Sequence, residues 1–233
     1  MSYVIDPPPQ ASVAVVGTTN RFPIRRVFCV GRNYAAHARE MGKDPDREPP
    51  FFFTKPADAV VDAPCIVPYP PLTSDLHHEI ELVVAIGKSG WNIAPEDVMD
   101  HIWGACVGID LTRRDLQGEA KKMGRPWDWG KAFDFSAPMS ALMPMSAGIS
   151  LTSGRIWLAV NGEMRQDADI GDMIWPVVDH IAELSRAMAL VPGDLVMTGT
   201  PAGVGAVGVG DVITGGVDGI GQLDVTIGER IHG

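Results

Sequence analysis

The stretch Leu76-His77-His78-Glu79-Ile80-Glu81-Leu82-Val83-Val84-Ala85-Ile86-Gly87 limits what this chain can become more than any other. Its apolar, β-branched residues run to a closing Gly, which predicts a single β-strand. Side chains alternate along a strand, so His77, Glu79 and Glu81 share one face. No Lys or Arg within the run neutralises the two carboxylates. Side by side they repel, and burying them without a partner costs several kcal/mol or more. Either the strand lies half in water, or a divalent cation with oxygen ligands sits between them.

Other features favour the cation. Trp103 to Asp110 is a second apolar strand pattern ending on a carboxylate. Asp110 is therefore a third candidate metal oxygen, unless it caps the helix predicted from Leu111 to Lys122, whose first turns carry Arg113, Arg114 and Gln117. Upstream, Val27 to Gly31 reads as a buried strand, and Arg32 to Gly42 as a helical turn or two closed by Gly. His37 and Glu40 are three apart there, hence neighbours on one helical face. A carboxylate beside an imidazole orients it and raises its basicity, as a general base requires, although a solvated surface pair has the same spacing. The polar segment Lys43 to Glu48 reads as a mobile loop and candidate lid.

Two lysines stand out. Phe51 to Pro56 is a strand ending at Lys55, which faces either an anionic ligand or water. Lys131 lies in the irregular, aromatic segment 124–138 with Trp127, Trp129, Phe133 and Phe135. Partly desolvated, it is a candidate electrostatic catalyst, unless it snorkels to solvent.

Later segments supply scaffold. Residues 151–166 predict a hairpin turning at Asn161-Gly162. Pro176 to Leu190 keeps the clearest helical period. Gly203, Gly205 and Gly208 match the spacing of a dinucleotide loop, but turn and strand follow instead of the helix that loop needs. The glycines instead let backbone N–H groups and the Thr198 or Thr200 hydroxyl approach a ligand carboxylate.

The 26 Gly and 19 Pro of the 233 residues are well mixed, which implies many turns and a β-rich, mixed α/β fold. Residues 1–20 read as an N-terminal extension feeding an edge strand, and 21–233 as a single catalytic domain. A formal charge of −10 without a basic block argues against nucleic acid, so an anionic ligand needs a locally positive pocket. Cys29, Cys65 and Cys106 are odd in number and widely spaced, which implies a reducing compartment. No apolar run approaches the ~20 residues of a membrane span, and no basic-then-apolar leader is evident. The expectation is a cytoplasmic protein.

Four runs carry a family resemblance: Cys-Val-Gly-Arg-Asn-Tyr-Ala-Ala-His-Ala-Arg-Glu-Met from Cys29, His-His-Glu-Ile-Glu-Leu from His77, Gly-Ile-Asp-Leu-Thr-Arg-Arg-Asp-Leu-Gln from Gly108, and Thr-Gly-Thr-Pro-Ala-Gly-Val-Gly from Thr198. In this order, and from about residue 25 onward, the chain resembles the fumarylacetoacetate hydrolase family, in its short acylpyruvate-hydrolase branch. The resemblance implies a β-sandwich-like roll with short helices, and a homodimer. It implies that Glu79, Glu81 and Asp110 bind Mg²⁺ or Mn²⁺, with His77 as a supporting group behind them. It further implies a His37–Glu40 dyad, a catalytic Lys131, and substrate contacts from Arg32, Gln117 and Thr200. Lys55, Arg113 and Arg125 are candidates for a distal carboxylate. The expected reaction is metal-dependent C–C cleavage of a small anionic 2,4-dioxo acid, foremost fumarylpyruvate in aromatic-ring catabolism. Oxaloacetate decarboxylation, a related isomerisation or hydration, and mere dicarboxylate binding are the rivals.

Overall fold

The expected strand from Leu76 to Gly87 is two strands in two sheets. Leu76–His78 pairs with Thr112–Arg113 and Gly205–Val207, whereas Ile80–Ile86 belongs to an eight-stranded sheet. Glu79 stands at the break. The Ile80 N–H leaves the strand ladder and donates to the Gln166 side chain at 3.1 Å. A change of sheet across one residue leaves the apolar alternation nearly in phase, so periodicity does not reveal it.

The computed structural model describes residues 2–35 and 49–230. The expected His37–Glu40 pair and Lys43–Glu48 loop lie outside them. In the eight-stranded sheet the order is Phe52–Lys55, Arg26–Val30, Asp194–Met197, Ile80–Ile86, Ile102–Ile109, Ala137–Met139 and Val60–Asp62, with Met143–Pro144 added beside Ile102–Ile109. Ile80–Ile86 is central and buried along its whole length, which suits its unbroken apolar character. Ile80, Leu82, Val84 and Ile86 join one core, together with Ile156, Leu158, Ile213, Leu223 and Val225 of the second large sheet. Val83 and Ala85 point to the other face and pack with Val13, Phe22, Cys29, Cys106 and Leu195.

That second sheet has five strands, ordered Glu163–Asp169, Arg155–Val160, Val212–Val217, Gly221–Gly228 and Cys65–Pro68. Its hairpin turns at Asn161 and Gly162, both at positive φ (51° and 80°), as the Asn-Gly pair predicts. The molecule is thus mixed α/β and rich in strands, with a curled sheet and few short helices.

Two of the helices follow the strand end at Asp110, and a third, Val177–Ala187, packs against the turn Pro95–His101 that leads into Ile102–Ile109. Arg114–Met123 starts three residues later than expected, because Thr112–Arg113 is first used as a strand, and it closes on left-handed Gly124 (φ 62°). The segment read as irregular holds one further turn, Asp128–Lys131. Pro176 caps Val177–Ala187. No helix among the described residues is long and apolar enough to cross a membrane.

Candidate active site

Glu79 and Asp110 face each other where adjacent strands end. Ile80 is registered against Ile109 and Glu81 against Gly108, and the Asp110 N–H donates to the Glu79 carbonyl at 2.8 Å. The register therefore gathers all three predicted carboxylates. One oxygen from each of Glu79, Glu81 and Asp110 lies within 4.8 Å of the others, and all three residues are buried.

Three cations surround two of them. Lys131 Nζ donates to Glu79 Oε2 at 2.8 Å, to Asp110 Oδ2 at 2.6 Å and to Thr112 Oγ1 at 2.7 Å. All three of its protons are thereby engaged. Arg114 pairs with Glu79 Oε1. Lys55 Nζ lies 2.8 Å from Asp110 Oδ1 as an ion pair lacking hydrogen-bond alignment. Burial alone lowers the Lys131 ammonium, but Asp110 and Glu79 outweigh it and its pKa rises.

Glu81 is different. Its hydrogen bond among the described residues comes from the Gly199 N–H, at 2.7 Å to Oε2. Burial, then the Asp110 and Glu79 charges, push its carboxyl well above the usual range. A divalent cation would reverse that preference, and an all-oxygen donor set suits a hard cation. The residues present therefore fit the metal the sequence implies. Gly199 is required for the contact: it sits at φ 93°, and a Cβ there would lie 2.8 Å from Asn33 Cβ. Asn33 Nδ2 donates to the Thr198 carbonyl at 2.8 Å and to the Trp175 carbonyl at 2.9 Å, so the segment carrying Arg32 is tied to the same loop.

Beside the triad opens a cavity of about 390 Å³, lined among others by Arg32, Phe53, Glu79, Glu81, Arg114, Gln117, Lys131 and Thr200. Arg32, Gln117 and Thr200 are where the sequence places substrate contacts. Gln117 also accepts from Arg114 at 2.6 Å. Lys55 does not belong here. Its strand turns it behind Asp110, and its ammonium also donates to the Leu111 and Lys131 carbonyls. Arg113 likewise turns away, its guanidinium 4.3 Å over the Phe133 ring. The expected aromatic shelter of Lys131 is also corrected. Its ammonium sits 5.1 Å over Phe53, whereas Trp129 is exposed, because the turn Asp128–Lys131 rotates the two apart.

His77 supports the site through a neighbour. Its Nε2 lies 2.9 Å from Asp75, and Arg114 Nε donates to its Nδ1 at 3.4 Å. Burial and the Arg114 charge lower its pKa, in keeping with a neutral ring that accepts from arginine. His78 points to the other side, toward Gln166.

Gln166 has no signal in the sequence, sitting in a polar strand far from every motif. It is fully buried. Its oxygen accepts from Ile80 N–H and His78, and its Nε2 donates to Thr200 Oγ1 at 2.8 Å and to the Pro201 carbonyl at 2.9 Å. It thus fixes the backbone between the two glutamates to the loop that holds Glu81.

The Fumarylacetoacetate (FAA) hydrolase C-terminal family model matches residues 26–228, and the chain belongs to that family. Within it, the chain is 44% identical over 190 residues to the fumarylpyruvate hydrolase of Ralstonia sp, spanning 81% of this chain and 98% of that protein. It is 42% identical over 199 residues to the oxaloacetate tautomerase YcgM of Escherichia coli (strain K12), spanning 85% and 90%. The crystal structure of fumarylpyruvate hydrolase from Pseudomonas aeruginosa, in complex with Mn²⁺ and pyruvate, shares the fold with a TM-score of 0.96 and 51% identity. It covers 98% of this chain and all of that one.

Proposed function

We propose that this protein is a metal-dependent hydrolase that cleaves the C3–C4 bond of an acylpyruvate, with fumarylpyruvate as substrate and fumarate and pyruvate as products. The observation that carries this reading is the buried triad Glu79, Glu81 and Asp110 in the wall of a cavity that also presents Arg32, Gln117 and Thr200. Relatives bearing the fumarylpyruvate hydrolase name, one in complex with Mn²⁺ and pyruvate, support the substrate.

Glu79, Glu81 and Asp110 would hold Mg²⁺ or Mn²⁺, which supplies Lewis-acid stabilisation of negative charge on oxygen. Gln117, Thr200 and Arg32 orient the pyruvyl end of the substrate. His37, oriented by Glu40, takes a proton from water, and the resulting hydroxide adds to the C4 carbonyl. The C3–C4 bond then breaks, its electron pair passing to C3 and onto the 2-oxo oxygen as the pyruvate enolate. The proton held by His37 returns to C3, and the acyl part leaves as a carboxylate. Lys131 contributes positive charge near that enolate and keeps Glu79 and Asp110 in register. The same reading includes a homodimer, supported by the family resemblance, and a cytoplasmic location, supported by the widely spaced free cysteines Cys29, Cys65 and Cys106.

A base of this kind contributes ~10²–10⁴-fold. His37→Ala should lower turnover by that order while Mn²⁺ affinity, read by calorimetry, stays within a few-fold. Normal cleavage by the variant would remove the dyad from the mechanism. It would also favour the second reading that the Escherichia coli relative raises, an oxaloacetate tautomerase or decarboxylase, since enolate chemistry on oxaloacetate needs no attacking water.

A further inference from the structure

The cations at the inner end of the cavity are already matched. Lys131 and Arg114 are paired to Asp110 or Glu79, and Lys55, behind the cavity wall, is paired to Asp110. Three further cations line the same cavity, Arg32, Lys121 and Arg125, and the last two form no ion pair among the described residues. Glu119 and Asp128 line adjoining grooves without reaching either of them. In a chain of formal charge −10, two adjacent, unmatched cations beside a site already holding three are a concentration of positive charge that only an anion would offset.

Their placement follows from the helix. Arg114, Gln117 and Lys121 stand at i, i+3 and i+7 on Arg114–Met123, hence on one face, and all three line the cavity. Seven residues of helix separate the two ends by about 10 Å. Gly124, left-handed at φ 62°, then turns the chain so that Arg125 follows Lys121 into the cavity wall. Arg125 also lines the two neighbouring grooves, which puts it at the mouth. Lys121 Nζ rests 4.7 Å over the Trp127 ring, and Trp127 packs on Phe51 and Phe53 with centroids 5.3 and 5.6 Å away. The stretch between the two charged ends is therefore walled by flat aromatic surface.

We propose that Lys121 and Arg125 form a distal anion subsite, which makes the enzyme selective for acylpyruvates whose acyl group ends in a second carboxylate. This rests on the acylpyruvate reading above and specifies the substrate class. A seven-carbon dioxo diacid has six C–C bonds of about 1.5 Å, a contour of about 9 Å, commensurate with the span from Arg114 to Lys121. Its unsaturated middle lies along Phe53 and Trp127. Burial, reinforced by the Arg114 charge, lowers the Lys121 ammonium to about 8, and a carboxylate at this point would raise it again by stabilising the protonated form.

The test compares two substrates that differ in the distal carboxylate, fumarylpyruvate and acetylpyruvate, in the metal-loaded enzyme. In the double variant Lys121→Met/Arg125→Met, the ratio of kcat/KM for fumarylpyruvate over acetylpyruvate should fall at least tenfold, chiefly through KM. Arg125→Glu should lower it further. Binding of fumarate against crotonate, which lacks one carboxylate, provides a readout without turnover, and the wild-type preference for fumarate should vanish in the double variant. A ratio within twofold of wild type, with the fumarate preference intact, would overturn the subsite. Absence of cleavage of both substrates by the wild-type enzyme would instead overturn the hydrolase reading, and the fumarate–crotonate comparison would still decide the subsite.

Discussion

Glu81→Gln should abolish productive metal binding and lower kcat by ~10³-fold or more, while leaving the metal-free protein as stable as the wild type or more so. The two effects have opposite signs because Glu81 is the triad member without a cation partner among the described residues. Its carboxyl is buried beside Asp110 and Glu79 and driven toward its neutral form when no metal is present. Glutamine keeps the shape and still accepts from Gly199 N–H, but offers a metal no charge. Lewis-acid stabilisation contributes several kcal/mol, and each ~1.4 kcal/mol is tenfold in rate. Calorimetric titration with Mn²⁺, thermal melting of the metal-free proteins and a turnover assay together check this. A variant that binds Mn²⁺ as tightly as wild type would remove Glu81 from the metal site.

The second large effect is on stability. Lys131→Met leaves Glu79 and Asp110 without the ammonium that bridges them at 2.8 and 2.6 Å. Lys55 and Arg114 still hold the outer oxygens, but they cannot reach the two that face each other. Stranding buried charge in this way costs about 3–5 kcal/mol. Chemical denaturation of the metal-free proteins should show a loss of this size, and a loss below about 1 kcal/mol would mean that the bridge is structurally idle. Turnover should fall as well, because Lys131 holds two of the three metal oxygens in place.

Much of this site is legible in the sequence, because its chemistry sits at strand ends. Alternation puts Glu79 and Glu81 on one side, and a strand that stops on a carboxylate supplies Asp110. The register of Ile80–Ile86 against Ile102–Ile109, which brings the three together, depends on partners that periodicity cannot name. For the same reason the change of sheet at Glu79 escapes detection. It is made by Gln166, which stands in for a strand neighbour from 86 residues away in the chain. Lys55 and Lys131 show the other failure. Both are correctly marked as lysines in apolar company, yet whether such a side chain meets substrate or a buried carboxylate depends on which face its element presents. Lys121 lies on a helix that is easy to predict, but in sequence it is one of two adjacent lysines. Only the shared face with Arg114 and Gln117 directs it into the cavity.

The central claim is metal-dependent hydrolysis of an acylpyruvate, and product analysis tests it most directly. Purified protein with Mn²⁺ and fumarylpyruvate should yield fumarate and pyruvate in equal amounts. Chelation should stop the reaction, and added Mn²⁺ or Mg²⁺ should restore it. Intact fumarylpyruvate alongside metal-dependent conversion of oxaloacetate would contradict the claim, leaving the metal site and its enolate chemistry in place but without the attacking water.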